Sequence, residues 1–452
     1  MRIALLSTNY DLGGAAIVTL RLTQALRALG HDARMVVARP GASARSAIVV
    51  PKGQWLKAFL RERAHLWLHG VPRKNLFKLS TGLWGCSLEQ DLFVASADAI
   101  IVNWASQGFL SLSSLKALIA IDKPIVYAMH DLWPATALCH LPGTCARYTE
   151  NPLCHGCPLF SGHRKYADRL ADRIAAEKRA IFSADNLHLV AMSSWQRREA
   201  LRSAILAGKE ITVIPHAFPI DFFTPAPAAP DIQSPAKADG RSSAPTGTEA
   251  LPPLHIVMAA ARLDDPVKDL PAAVEALNIL AQEQPALAAR AHVDFVGTIR
   301  DTSPLSSLTI GYTLHGPLDA DALRRLYRRA AVVLSSSKYE TMGATLMEGM
   351  ACGAIPVTFG DAGQADIVTD AVNGFIAPVH TPASLSFALQ TALLTAAELR
   401  EAYAESAAAD NAGSTNGLAE NLESFFPAAL HASVAERFSP ESIAARYLKL
   451  LQ

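Results

Sequence analysis

Three things are scarce in this chain of 452 residues: a surplus of charge of either sign, a long apolar run, and cysteine. Lysine plus arginine total 41 and aspartate plus glutamate total 41, so no overall field draws the protein to nucleic acid or to an anionic surface. Any basic patch has to be local, and nucleic acid is not an expected partner. The opening MRIALLSTNYDLGG holds only a few consecutive apolar residues before a turn, too short a stretch for a signal-peptide core or a membrane span. With six cysteines and no export signal, the expectation is a reducing cytoplasm and no disulfide framework.

What is present is core-forming material: 50% of the residues are hydrophobic, and the length exceeds what one core usually organises. Short β-rich runs alternate with amphipathic helical runs. RIALLS (2–7), ARMVVA (33–38), DAIIVNW (98–104), PIVYAMH (124–130), NLHLVAMS (186–193) and ITVIPH (211–216) read as strands, with a helix over 16–30 ended by Gly30. A second series follows: LHIVMAA (254–260), HVDFVG (292–297), YTLHG (312–316), AAVVLSSS (330–337) and AIPVTFG (354–360), with a helix from Asp269. Strands separated by helices imply parallel, doubly wound sheets, so the fold class is α/β with two Rossmann-like domains facing a cleft.

The expected boundaries are an N-terminal domain over 1–222, a linker over 223–253 rich in Pro, Ala, Ser and Gly, and a C-terminal domain over 254–438. The closing SPESIAARYLKLLQ (439–452) reads as a helix packing back on the N-terminal domain, with half a capping box in Ser439 and Ser442. The alanine-rich 395–425, poor in large apolar residues, reads as a surface excursion.

The stretch YETMGATLMEGMACGAIPV (339–357) poses a chemical question, because two carboxylates, Glu340 and Glu348, stand in small, apolar surroundings. They straddle a strand-to-helix turn, where Gly343 lets backbone approach a ligand. The helix start attracts a diphosphate. Carboxylates repel phosphate but hold sugar hydroxyls, one on each side of a diphosphate. The competing reading makes Glu340 a helix cap and pairs Glu348 with a surface lysine. ARLDDPVKDL (261–270) adds Arg262 and Lys268, a guanidinium and an ammonium suited to a diphosphate leaving group, or else solvated charges beside Asp264 and Asp265. NYDLGGAAIVTL (9–20) offers Gly13 and Gly14 in a strand-to-helix turn that lacks the full dinucleotide pattern. Arg39 stands where a nicotinamide site needs an acid.

RLDDPVK, KYETMGATLMEGMACGAIPV and DAGQADIVTDAVNGFIAP resemble the donor half of the retaining GT-B glycosyltransferases of family 4. The GGAA turn, HDLW and VIPHAFPIDFFTP resemble the acceptor half and hinge. The resemblance implies transfer of a hexose from a nucleotide-diphosphate sugar to a glycan or lipid-linked saccharide acceptor, with no catalytic metal. By residue, it implies that Glu348 binds the donor ribose, Glu340 and His130 contact the transferred sugar, and Arg262 with Lys268 neutralise the diphosphate. Met342 and Gly343 would offer backbone amides, and Gly14 would lie against the donor. Gln364 and Ala365 depart from the proline-glutamate pair common in the family. The rival readings are a nucleotide-sugar epimerase and a non-catalytic nucleotide-sugar-binding scaffold.

Two further segments carry chemistry. HDLWPATALCHLPGTCARYTENPLCHGCP (130–158) gathers Cys139, Cys145, Cys154 and Cys157, four cysteines suited to structural zinc or else free or disulfide-linked, with His140 or His155 as a substitute for one ligand. The segment 51–84 interleaves Trp55, Phe59, Trp67 and Phe77 with seven basic residues. It suits either peripheral contact with the inner face of the plasma membrane or an amphipathic helix with a solvated basic face.

Overall fold

The computed structural model describes residues 1–41, 44, 46–226, 253–408 and 420–452. Most of the expected linker, 227–252, lies outside the described residues. The chain divides into two units, Met1–Pro219 with Arg437–Gln452, and Ile220–Glu436.

The first unit is built on β1 (Arg2–Asn9), β2 (Asp32–Arg39), β3 (Ile48–Val49), β4 (Ala99–Val102), β5 (Ile125–Met129), β6 (Leu187–Ala191) and β7 (Ile211–Val213). All neighbours pair in parallel, in the order β3-β2-β1-β4-β5-β6-β7. Around them run α1 (Gly14–Ala28), α2 (Lys52–Leu68), α3 (Leu92–Ser96), α4 (Leu112–Ile119), α5 (Arg164–Phe182) and α6 (Ser194–Leu201). Ile3 through Thr8 of β1 are all buried, as a strand covered on both faces requires. The order reverses between β1 and β4, which marks the carboxyl ends of those strands as the place for a ligand.

The second unit repeats the scheme with β8 (Leu254–Arg262), β9 (Ala291–Thr298), β10 (Tyr312–Gly316), β11 (Ala330–Ser335), β12 (Ile355–Phe359) and β13 (Phe375–Ala377). Their order is β10-β9-β8-β11-β12-β13, again all parallel, with the reversal between β8 and β11. Its helices are α7 (Leu270–Glu283), α8 (Pro285–Arg290), α9 (Ala320–Arg329), α10 (Ala344–Ala351) and α11 (Pro382–Ala408). The division falls after Pro219 because the following residues are tied to α9. Arg324 donates to the Phe222 carbonyl and Arg328 to the Thr224 carbonyl, at 3.3 and 2.8 Å.

Two helices close the chain, α12 (Pro427–Phe438) and α13 (Pro440–Leu450). Ser439 caps α13 by accepting from the Ser442 amide at 3.3 Å. Ile443, Ala444, Tyr447 and Leu451 enter the same core as Ile3, Leu5, Leu22 and Leu26, each large apolar side chain contributing about 1.5–3 kcal/mol of burial. Gly30, at φ 86, follows Leu29, the residue that caps the end of α1, in the left-handed conformation that ends a helix.

The reading of 395–425 as a surface excursion is corrected for its first part. α11 runs on to Ala408, and Ala396, Ala397 and Leu399 are buried. Alanine is the strongest helix former and allows close packing, so a stretch without large apolar residues still belongs to the core. Two edge strands also escaped the pattern, β3 and β13, because two and three residues are too few to show alternation. Among the described residues no helix is long and apolar enough to cross a membrane.

Candidate active site

Since β8 and β11 flank the reversal in the second sheet, the loops leaving their carboxyl ends, 263–269 and 336–343, meet side by side. The Lys338 amide donates to the Val267 carbonyl at 2.8 Å, and the Ser336 hydroxyl donates to the Lys268 carbonyl at 2.7 Å. Asp269, buried and left-handed at φ 50, accepts from Lys338 Nζ at 2.9 Å and lies 3.3 Å from His380 Nε2. These bonds hold the two loops as one scaffold. Upon it Lys268 Nζ donates to Glu340 Oε2 at 2.5 Å. The pair is accessible, with side chains 29% and 25% exposed, so either partner can exchange the other for a ligand.

Arg262, at the end of β8, turns to its own loop, 3.5 Å from Asp264 and 3.2 Å from Asp265. At 39% exposure it too is open to solvent. Its Nε and the Asp264 Oδ1 are buried atoms without a hydrogen-bond partner among the described residues, so these ion pairs leave donor capacity unused.

Gly343 precedes α10 at φ 92, a conformation costly for any residue with a Cβ, and no side chain caps the helix. The first turn therefore presents backbone donors at the edge where Lys268 and Glu340 stand. Met342 is buried just before it. Gly349 fixes the helix depth, since a Cβ there would lie 2.6 Å from Val333 Cβ on β11. Glu348, the fifth residue of α10, is partly exposed and accepts a long bond of 3.4 Å from the hydroxyl of the fully buried Tyr327.

Gln364, fully buried, braces this edge by donating to the Ser337 carbonyl at 3.1 Å and accepting from the Ser335 hydroxyl at 3.2 Å. The neighbouring Gly363 amide donates to the Glu340 carbonyl at 2.8 Å. Asp269, Ser336, Lys338 and His380 were not singled out by the sequence. Their role is to tie loops together, and only the fold reveals which loops are neighbours.

In the first unit the corresponding edge carries Gly13 and Gly14 after β1, Asn103 after β4 and His130 after β5. Gly13, at φ 90, precedes α1, and no atom lies within 4 Å of where a Cβ would stand at either glycine, which leaves room beside this helix start. His130 Nε2 lies 3.0 Å from Asn103 Oδ1, and its ring stacks on His216 with centroids 5.5 Å apart. Burial lowers the His130 pKa to about 4 and, with the neighbouring His130 adding to the effect, lowers that of His216 to about 3. Both rings are neutral near pH 7. His130 Nδ1 is buried without a partner among the described residues. An Asn103-bound Nε2–H leaves that nitrogen as an acceptor.

Beside it Asp131 anchors the next turn. It accepts from His140 Nδ1 at 2.7 Å, Trp104 Nε1 at 2.8 Å and the Trp133 amide at 2.9 Å. Burial opposes the carboxylate, but His140 and these hydrogen bonds outweigh it and hold its pKa below the ordinary range.

The four cysteines named as candidate ligands for structural zinc lie in this loop. Cys139, Cys145, Cys154 and Cys157 are free thiols close enough to influence one another's ionisation, and burial pushes Cys154 up to about 11. Among the described residues, however, no group of three or more His, Cys, Asp or Glu side chains is placed to hold a metal ion. The loop is held by Lys178 of α5, fully buried, whose Nζ donates to the carbonyls of Trp133, Thr136 and Ala137 at 2.6, 3.0 and 3.1 Å. The same ammonium sits 3.4 Å from the centroid of the Trp133 ring.

This geometry can be set beside known proteins. Residues 255–410 match the model described as glycosyl transferases group 1, and residues 12–222 match that of glycosyltransferase family 4. A D-inositol 3-phosphate glycosyltransferase of Streptomyces griseus subsp. griseus is 24% identical over 230 residues, a match spanning 48% of this chain and 48% of that protein. A sucrose-phosphate synthase from Thermosynechococcus elongatus is 17% identical, with TM-score 0.56 over 99% of this chain and 97% of its own. Anabaena HepE in complex with UDP is 15% identical, with TM-score 0.58 over 100% and 99%. A Rickettsia africae glycosyltransferase is 13% identical, with TM-score 0.59 over 99% and 97%. These structures share the two-domain GT-B fold. The chain belongs to the group 1, family 4-like glycosyltransferases.

Proposed function

We propose that the protein transfers a hexose, with retention of anomeric configuration, from a nucleotide-diphosphate sugar to a glycan or lipid-linked saccharide. The observation that carries this reading is the accessible Lys268–Glu340 pair beside the uncapped start of α10, with Arg262 on the adjoining loop. The two cations and the helix start supply positive charge for a diphosphate. Glu340, released as Lys268 turns to phosphate, accepts hydroxyls of the hexose, and Glu348 accepts those of the ribose. His130 offers Nδ1 to a sugar hydroxyl. The UDP and UDP-glucose complexes of Anabaena HepE support a nucleotide-sugar donor.

In the reaction the bond from the anomeric carbon to the β-phosphate oxygen breaks, and a bond to the acceptor oxygen forms on the same face. The acceptor proton passes to the departing phosphate oxygen. Negative charge grows on the diphosphate as the bond lengthens, so Lys268 and Arg262 bind the transition state more tightly than the ground state.

The test is incubation of the protein with UDP-, GDP- or ADP-hexoses and a panel of glycan and lipid-linked acceptors, with NMR of the product linkage. The expected result is acceptor-dependent release of one nucleoside diphosphate and a retained linkage, lost in Lys268→Ala. Acceptor-independent release, or an inverted linkage, would refute it.

A further inference from the structure

α2 turns two unlike faces outward and inward. Its inner face is fixed by Glu62, fully buried, which accepts from the Thr81 amide at 2.7 Å and from the Gly82 amide at 3.2 Å. Trp55 Nε1 donates to the Gln107 carbonyl at 3.2 Å, so the helix lies against the loop that follows β4. The outer face is apolar: Leu56, Leu60, Trp67 and Leu68 are 38, 54, 53 and 63% exposed. At 100° per residue, Leu56, Leu60, Ala64 and Trp67 fall within an arc of about 80°. The turn Arg73–Lys78 adds Phe77, 60% exposed and 6.3 Å from the Phe59 ring.

The exposed charge of this segment has one sign. Lys52, Lys57, Arg61, Arg73, Lys74 and Lys78 are exposed, whereas the sole acid between 51 and 84, Glu62, is buried. We propose that this face docks on an anionic lipid surface, with α2 lying in the interfacial plane, its apolar residues entering the headgroup boundary and its cations meeting lipid phosphates. A second copy of the chain is disfavoured as occupant, because a two-fold contact would bring these cations against themselves with no exposed acid of the segment to offset them. Since the chain has no net charge, the attraction is local to this face. The docking does not depend on the transfer reaction. Given that reaction, it would bring lipid-linked acceptors beside the edge that carries Asn103 and His130.

The experiment is co-sedimentation of the full chain with vesicles of phosphatidylglycerol and phosphatidylcholine, against phosphatidylcholine alone, at low and high salt. Expected are binding to the anionic vesicles alone, loss of binding at high salt, and a blue shift in tryptophan emission that Trp67→Leu abolishes. Leu60→Glu with Trp67→Glu, and separately Lys57→Glu with Arg61→Glu, should each lower partitioning by about tenfold or more with unchanged circular dichroism. Absence of binding to anionic vesicles at low salt would overturn the proposal, as would variants that bind like the wild type. So would self-association without lipid that Leu60→Glu abolishes. A nucleotide titration on the same samples separates this outcome from failure of the donor reading.

Discussion

Two polar regions of this protein solve opposite problems. In the loop after β5 two charged groups are buried and satisfied: Lys178 by three carbonyls, Asp131 by His140, Trp104 and the Trp133 amide. At the carboxyl edge of the second sheet the polar groups are paired yet reachable, as Lys268, Glu340 and Arg262 show. The difference lies in what pairing costs to undo. A buried ammonium cannot leave its carbonyls without large desolvation losses, whereas an exposed ion pair is worth little and can be traded for a ligand. Burial therefore marks Lys178 and Asp131 as groups that maintain the fold, whereas exposure leaves Lys268, Glu340 and Arg262 able to exchange partners.

The largest effect should come from the first region. Lys178→Ala removes three hydrogen bonds and leaves buried carbonyls unpaired, an expected loss of about 3–5 kcal/mol in urea unfolding. A loss below about 1 kcal/mol would mean that the loop is held by something else.

Lys268→Ala sharpens the other side. Stability should change by less than about 1 kcal/mol, while kcat/KM for transfer should fall by about 100-fold, equivalent to roughly 2.7 kcal/mol. The reverse pattern would place Lys268 with Lys178 as a structural residue.

Gly349→Ala tests whether the depth of α10 matters. Its Cβ would collide with Val333 at 2.6 Å, so an overpacking cost of about 1–3 kcal/mol is expected, with displacement of Glu348 read as weaker nucleotide binding. Gly14→Ala, open to space, should leave stability nearly unchanged by the same measurement.

The last effect concerns pH and is read only below neutrality. His130 and His216 have folded pKa values of about 4 and 3, below the ordinary histidine value of about 6.5. Between those limits the unfolded chain binds protons that the folded chain does not. Stability therefore falls as pH drops from about 6.5 towards 4 and is retained above that range. His216→Gln should reduce the slope of urea midpoint against pH over that window, and an unchanged slope would show that His216 is not kept neutral by its surroundings.

Much of the scaffold was legible in the sequence because buried parallel strands are apolar runs. PIVYAMH and AAVVLSSS stand out for that reason, and YTLHG coincides with β10. Glu340, Gly343 and Glu348 were legible because carboxylates and glycine are conspicuous in an apolar segment. The Lys268–Glu340 bond was not, since the partners are 72 positions apart and meet only once β8 and β11 pair. Spacing alone does not show whether four cysteines in one loop converge, and among the described residues no group of three or more is placed to hold a metal ion. Lys178, a single lysine in an ordinary amphipathic helix, left no trace of its burial.

The most direct measurement is calorimetric binding of UDP, GDP and ADP to the wild type, Lys268→Ala and Glu348→Ala. One nucleotide should bind, and each substitution should weaken it by about 1.5–3 kcal/mol, the worth of a hydrogen bond to a charged group. Absence of binding by all three, or binding indifferent to both substitutions, would contradict the assignment of the α10 edge as the donor site.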